Sequence, residues 1–171
     1  MSTSRSVALL RGINVGTSKR IAMPALRSVF EGLGATNVET YLQSGNVVFS
    51  GSLKPAALEA AVAAEFGVTP RVLVLTAAEF RRVASENPLL EGGTNPSRLF
   101  VYFVDAVPAS IEPPDGIEPE VVAIGKHAVY QWSPDGIGKT KVPPRFTKSL
   151  GPTATARNQR TVEALLAMLD A

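Results

Sequence analysis

The stretch Val38-Glu39-Thr40-Tyr41-Leu42-Gln43-Ser44-Gly45-Asn46-Val47-Val48-Phe49 sets two short apolar runs around a polar turn. Val38 to Leu42 and Asn46 to Phe49 read as strands, joined by Gln43-Ser44-Gly45-Asn46 with Gly45 supplying the turn conformation. Helices flank this hairpin. Upstream, Met23-Pro24 opens one, since proline suits a first turn, and Leu26, Val29, Phe30 and Leu33 recur at helical spacing until Gly34. Downstream, Lys54-Pro55 opens a second, with Leu58, Val62 and Phe66 on one face and Gly67 at its end. Ser6 to Leu10, bounded by Arg11-Gly12, and Arg71 to Leu75 supply the first and last strands. The order βαββαβ is the split βαβ, ferredoxin-like arrangement, and it fills residues 1–76.

Residues 77–171 read as a second α+β half packed on the first, the two forming one compact unit. Thr76 caps a helix through Ala84, Asn87-Pro88 ends it, and Arg98 to Val104 is a strongly apolar strand. Ala106 to Glu120, rich in proline and acid, reads as a loop with one turn after Pro108. Val121 to Ile124 and His127 to Trp132 form a second hairpin around Gly125-Lys126, and a short helix follows near Pro144 to Leu150. The last segment, Ala156 to Leu169, carries the apolar stripe Val162, Leu165, Leu166 and Leu169, which predicts a helix with Arg157, Asn158 and Arg160 in its first turn.

The composition narrows the chemistry. With 171 residues, 45% hydrophobic and 19% charged, the chain is an ordinary globular protein that needs no disulfide or metal to hold a core. It has no cysteine and a single histidine, His127, which excludes thiolate nucleophiles, disulfides, iron-sulfur clusters and zinc sites built from Cys or paired His. No metal site and no cofactor are expected. No apolar run reaches the roughly 18 to 20 residues of a membrane span, and Met1 to Arg5 is too short and polar for a signal peptide, so a soluble cytoplasmic protein without a membrane partner is predicted. Charge is uneven along the chain. Seven Lys or Arg stand against four Asp or Glu in residues 1–76, three against eight in 77–120, and seven against three in 121–171. Between Val121 and Val162 the only acid is Asp135. That basic stretch suits either an anionic partner or a solvated face.

Gly136-Ile137-Gly138-Lys139-Thr140 invites comparison with a phosphate-cradling loop, but the first glycine position is Ser133 and Lys141-Val142-Pro143-Pro144 follows where a helix should begin. A flexible basic loop is the better reading. Gly12-Ile13-Asn14-Val15-Gly16 follows a strand without the Gly-x-Gly-x-x-Gly spacing of dinucleotide folds.

Three polar segments remain as candidate site: Arg11-Gly12-Ile13-Asn14-Val15-Gly16, Gln43-Ser44-Gly45-Asn46 and Thr153-Ala154-Thr155-Ala156-Arg157-Asn158. The first strand of a split βαβ unit is central, so its end carries Arg11 to the sheet rim, where a cation between glycines can meet an anion with side chain and backbone N–H together. Arg157 and Asn158 at a helix N-terminus would add the positive end of a dipole. The expected ligand-binding residues are Arg11, Gly12, Asn14, Gly16, Ser44, Gly45, Asn46, Arg157 and Asn158. Structural roles compete: an ion pair for Arg11, turn chemistry for Asn14, Ser44 and Asn46, helix capping for Thr155 and Asn158. None of the segments contains Asp, Glu, His or Cys, so no general base is evident, and recognition is favoured over reaction without deciding whether the protein is an enzyme. His127 suits a hydrogen-bonded structural role in its strand.

Leu9-Leu10-Arg11-Gly12-Ile13-Asn14-Val15-Gly16, Tyr41-Leu42-Gln43-Ser44-Gly45-Asn46-Val47-Val48-Phe49 and Thr155-Ala156-Arg157-Asn158-Gln159-Arg160-Thr161-Val162 together resemble the bacterial family called domain of unknown function 1697. Asn87-Pro88-Leu89 and the Arg98 to Val104 strand fit it as well. The resemblance implies a ferredoxin-like α+β architecture and candidate residues, and names no activity.

Three function readings follow. The first is a protein binding a small phosphorylated or other anionic ligand through the Arg, Asn, Ser and Gly motifs. The second is a single-stranded nucleic-acid-binding module using the basic carboxyl third, with Tyr130 and Trp132 as stacking groups. The third is a protein-interaction module without a ligand.

Overall fold

The computed structural model describes residues 4–16, 20–91 and 95–171. Met1 to Thr3, part of the stretch read above for a signal peptide, lie outside them. The described residues form eight strands, five α-helices and one 3-10 turn. They divide into two compact units, Met1–Arg81 with Ala164–Ala171, and Arg82–Glu163.

The first unit holds β1 (Arg5–Arg11), α1 (Met23–Gly32), β2 (Thr36–Tyr41), β3 (Asn46–Ser50), α2 (Pro55–Phe66) and β4 (Arg71–Thr76). Their sheet runs β2-β3-β1-β4 and every pair is antiparallel, so the βαββαβ, ferredoxin-like reading holds. Both helices begin as the sequence requires: an extended residue, Ala22 or Lys54, precedes proline in the first turn. Alternation along the strands assigns the faces. Ala8, Leu10, Val47, Phe49 and Val72 meet Leu26 and Phe30 of α1 and Leu58 and Val62 of α2 in one core cluster. Phe30 and Phe49 form its aromatic contact, with centroids 5.4 Å apart and tilted by 59°.

After α3 (Ala77–Ser85) the second unit holds β5 (Leu99–Phe103), β6 (Val121–Ile124), β7 (Ala128–Trp132) and α4 (Pro144–Lys148), then β8 (Thr155–Asn158), which leads into α5 (Gln159–Asp170). Its sheet runs β6-β7-β5-β8, again antiparallel throughout.

The carboxyl segment corrects the sequence reading. Thr155 to Asn158 were read with the last helix but pair with β5, Phe103 opposite Thr155 and Phe100 opposite Asn158. Ladder hydrogen bonds to a buried neighbour outweigh the weak helical preference of Ala156 and Arg157. The helix starts at Gln159 because the Asn158 side chain caps it, its Oδ1 accepting the Thr161 N–H at 2.9 Å. Gly136 to Thr140, read as a flexible loop, form instead a 3-10 turn over Ile137–Lys139.

Candidate functional site

The end of the first sheet gathers two of the three motifs. β1 closes on Arg11, which is exposed and stands directly opposite Arg71, the equally exposed first residue of β4. Directly opposed residues of an antiparallel pair share a face with Cβ atoms about 5 Å apart, so two guanidinium groups concentrate positive potential at one rim. The chain that follows alternates in hand. Gly12, Asn14 and Gly16 take φ of 88°, 52° and 56°, and Ile13 and Val15 between them keep negative φ. Phosphate loops hold anions through right-handed and left-handed helical residues in succession, which turn neighbouring N–H groups toward one concave side, and the alternating sign of φ here is compatible with that arrangement. Glycine serves twice in this alternation and asparagine, the most tolerant of the other residues, once.

The Asn14 side chain is spent on building that loop. Its Oδ1 accepts the Ile21 N–H at 2.6 Å, and its Nδ2 donates to Ile21 O at 3.1 Å and to Gln43 O at 2.9 Å. Arg20 follows the same clasp, donating to Asn14 O at 3.3 Å and Gln43 Oε1 at 3.5 Å while remaining exposed. The β1–α1 loop and the hairpin turn are thereby one fastened structure carrying a third cation.

Ser44, Gly45 and Asn46 complete the turn. Asn46 is 0% exposed and donates to Tyr41 O at 2.8 Å and Ser44 Oγ at 3.0 Å. Gly45 has φ of 94°, and a Cβ there would stand 2.8 Å from Ile13 Cδ1 and 2.9 Å from Leu10 Cβ. Its carbonyl accepts the Leu10 N–H at 2.9 Å. Turn chemistry thus accounts for the side chains of Asn14 and Asn46, and Arg11 is exposed at the sheet rim.

The third motif falls in the second unit. Asn158 is a cap. Arg157 lies in β8 opposite Val101, half-buried, its Nη1 donating to Ala156 O at 2.9 Å. It stands in a strand and not in a helical first turn. Burial draws its guanidinium down to about 10, still protonated at neutral pH. Tyr130, offered above as a stacking group, is fully buried, and its hydroxyl donates to Val83 O at 2.7 Å. It presents no ring to a base. The Gly-Lys-Thr loop is fixed by Glu120, whose Oε1 accepts from Thr140 Oγ1 at 2.7 Å and Ser133 Oγ at 2.6 Å. His127 stands just before β7 with Nδ1 3.1 Å from Glu86 Oε2.

Arg20 and Arg71 were missed in the sequence. Arg71 was findable, because βαββαβ order forces the start of β4 to meet the end of β1. Arg20 carries no local signal. Among the described residues no three His, Cys, Asp or Glu side chains cluster as a metal site requires, and no helix is long and apolar enough to cross a membrane.

A family model described as protein of unknown function (DUF1697) matches residues 3–130. The solved structure of a conserved bacterial protein, SP0830 from Streptococcus pneumoniae, superposes with a TM-score of 0.73 at 25% identity, covering 98% of this chain and 99% of that one. No curated protein matches the chain.

Proposed function

Because the chain belongs to the DUF1697 family, whose description names no activity, the role has to be argued from residues, and we propose that it binds a small phosphorylated or similarly anionic ligand on the loop after β1. The observation that supports this reading is the alternating hand of residues 12 to 16 beside the opposed Arg11 and Arg71. Backbone N–H groups in such a loop bind without titrating, and guanidinium groups stay charged at every physiological pH, so affinity would follow the ligand's charge rather than the protein's. Arg20, tethered to the same loop, closes the cationic side. Nothing in this group acts as a base, so the reading is recognition.

Calorimetric titration with inorganic phosphate, nucleoside monophosphates and diphosphates is the test. Replacing Arg11 and Arg71 together by Ala should weaken the best ligand by about a hundredfold or more, each charge-assisted bond contributing about 1.5 kcal/mol or above. Unchanged affinity in the double variant removes the site. Affinity for oligonucleotides alone, falling steeply with salt, would move the function to a polyanion surface.

A further inference from the structure

The opposite end of the same sheet carries a cleft that none of the three motifs enters. It encloses about 820 Å³, within the range of ligand cavities, and lies wholly in the first unit. Arg5 opens β1 there, directly across from Ser50 at the end of β3, and Asn37 and Glu39 of β2, α3 from its start to Arg81, and Leu169 and Ala171 complete the wall.

Arg5 is rich in donors and poorly served. Its side chain is 19% exposed, and Glu39 Oε1 stands 3.9 Å away. Nη1 reaches Asn37 O at 3.3 Å and Ser50 Oγ at 3.5 Å, Nη2 reaches Met168 O at 3.4 Å, and Nε is buried with no partner. Guanidinium bonds to anionic oxygen normally close to about 2.7–2.9 Å, so each of these contacts is long. One neighbour repeats the pattern. Asn37, at φ of 49° beside the β2 irregularity, donates from its side chain only to Ser50 Oγ at 3.5 Å. At α3 the Thr76–Glu79 capping pair satisfies its own two N–H groups, and Ala77 and Ala78 line the cleft wall.

We propose that this cleft takes the oxyanion group of a small ligand, a carboxylate or a phosphate, with Arg5 as its fork and Asn37 and Ser50 as supporting donors. The Arg5 and Asn37 donors here make only long contacts or none, and an oxyanion is the chemistry that supplies several close acceptors at once. Glu39, more than half exposed and beyond hydrogen-bond reach of Arg5, holds the place of that ligand and competes with it. Arg81 lines the same wall and is engaged by Asp170 at 2.7 Å, so it adds field more than contact.

The test uses the ¹⁵N-labelled full chain, titrated with sodium phosphate or sodium acetate against sodium chloride at matched ionic strength. Saturable shifts of the Arg5 Nε–H and the Ala77 and Ala78 amides are expected, with whichever of the two anions binds naming the group. Arg5→Gln should weaken binding by about tenfold or more. Glu39→Gln, at an exposed position that folding tolerates, should tighten it by up to about fivefold as the competing charge is removed. Shifts no larger than those in chloride overturn the proposal. So does weaker binding in Glu39→Gln, which would place a cationic group of the ligand on that carboxylate. Arg11→Ala should leave this titration unchanged, so this site and the loop site can fail separately.

Discussion

The two sheets share one strand order, β2-β3-β1-β4 and β6-β7-β5-β8, and close their crossovers with different material. In the first, α1 and α2 fill both crossovers and lay Leu26, Phe30, Leu58 and Val62 on the strands. In the second, residues 104–120 cross from β5 to β6 without a helix, and only the short 3-10 turn Ile137–Lys139 and the five-residue α4 stand between β7 and β8. Loop residues Ile117, Val142 and Ala154 finish that core cluster, and the connection is tied down by Glu120, a carboxylate only 7% exposed. Helix burial adds apolar area side chain by side chain, so its contribution scales with the area each side chain covers. A buried polar network couples its members, because each donor left without an acceptor costs more than the bond itself was worth. One strand order therefore has two ways of being held.

The largest effect should come from the helix-held sheet. Phe30 is fully buried and touches Phe49 across the helix–sheet interface. Phe30→Ala should cost about 3–5 kcal/mol, the usual toll of a core cavity left by a phenylalanine. In a chain of this size that lowers the melting temperature by about 10 °C or more. A shift of only 1–2 °C in thermal unfolding would mean that the first core does not hold its sheet.

The turns sharpen the contrast, and they mark what could be read in advance. Periodicity exposed the first sheet because α1, α2 and the hairpin each bury one regular face. The second sheet was half legible: β8 was hidden because four residues pairing with a distant strand leave no local pattern. Gly45 was legible as a turn glycine, but its close approach to Ile13 and Leu10 belongs to tertiary packing. Leu42, at φ of 59° in the same turn, gave no sign of that conformation. At the candidate site the motif segments were visible, while the distinction between side chains that fasten and side chains that reach solvent was not. The β6–β7 hairpin has its own glycine, Gly125, where a Cβ would stand 2.9 Å from Ala128 O and 2.9 Å from the Tyr130 ring, without a positive φ. Gly45→Ala combines the left-handed penalty with overpacking and should cost about 3 kcal/mol, against about 1 kcal/mol for Gly125→Ala, where only packing is disturbed. Equal losses in urea unfolding would mean that the positive φ at Gly45 carries no strain.

A pH-dependent effect, smaller at neutral pH than that of Phe30→Ala or Gly45→Ala, separates the two sheets most cleanly. Glu120 Oε1 accepts from Ser133, Thr140 and Gln131, the last at 3.1 Å, and its Oε2 accepts the Lys141 N–H. Gln131 in turn accepts from the Tyr102 hydroxyl at 2.7 Å. Burial pushes the Glu120 carboxyl up, and the hydrogen bonds from Ser133, Thr140, Lys141 and Gln131 more than offset it, so the net shift is downward from 4.5. A carboxyl held low in the fold stabilises it above the ordinary value and loses that contribution as pH falls from about 4.5 through the lower folded value. Glu120→Gln keeps one acceptor oxygen for Ser133, Thr140 and Gln131 but sets an N–H₂ against the Lys141 N–H and removes the charge, and should cost about 2 kcal/mol at pH 7. As pH falls below 4.5 the wild-type carboxyl protonates too, and the gap between the proteins should narrow. At the alkaline end the direction reverses: burial, with Glu120 nearby, pushes Tyr102 up to about 12, so its contribution is lost as pH climbs from 10 toward that value. Denaturant unfolding of both proteins from pH 7 down to pH 3 reads the comparison directly. A gap that stays constant with pH would show that the network holds the second sheet by shape alone, and the contrast with the helix-held sheet would disappear.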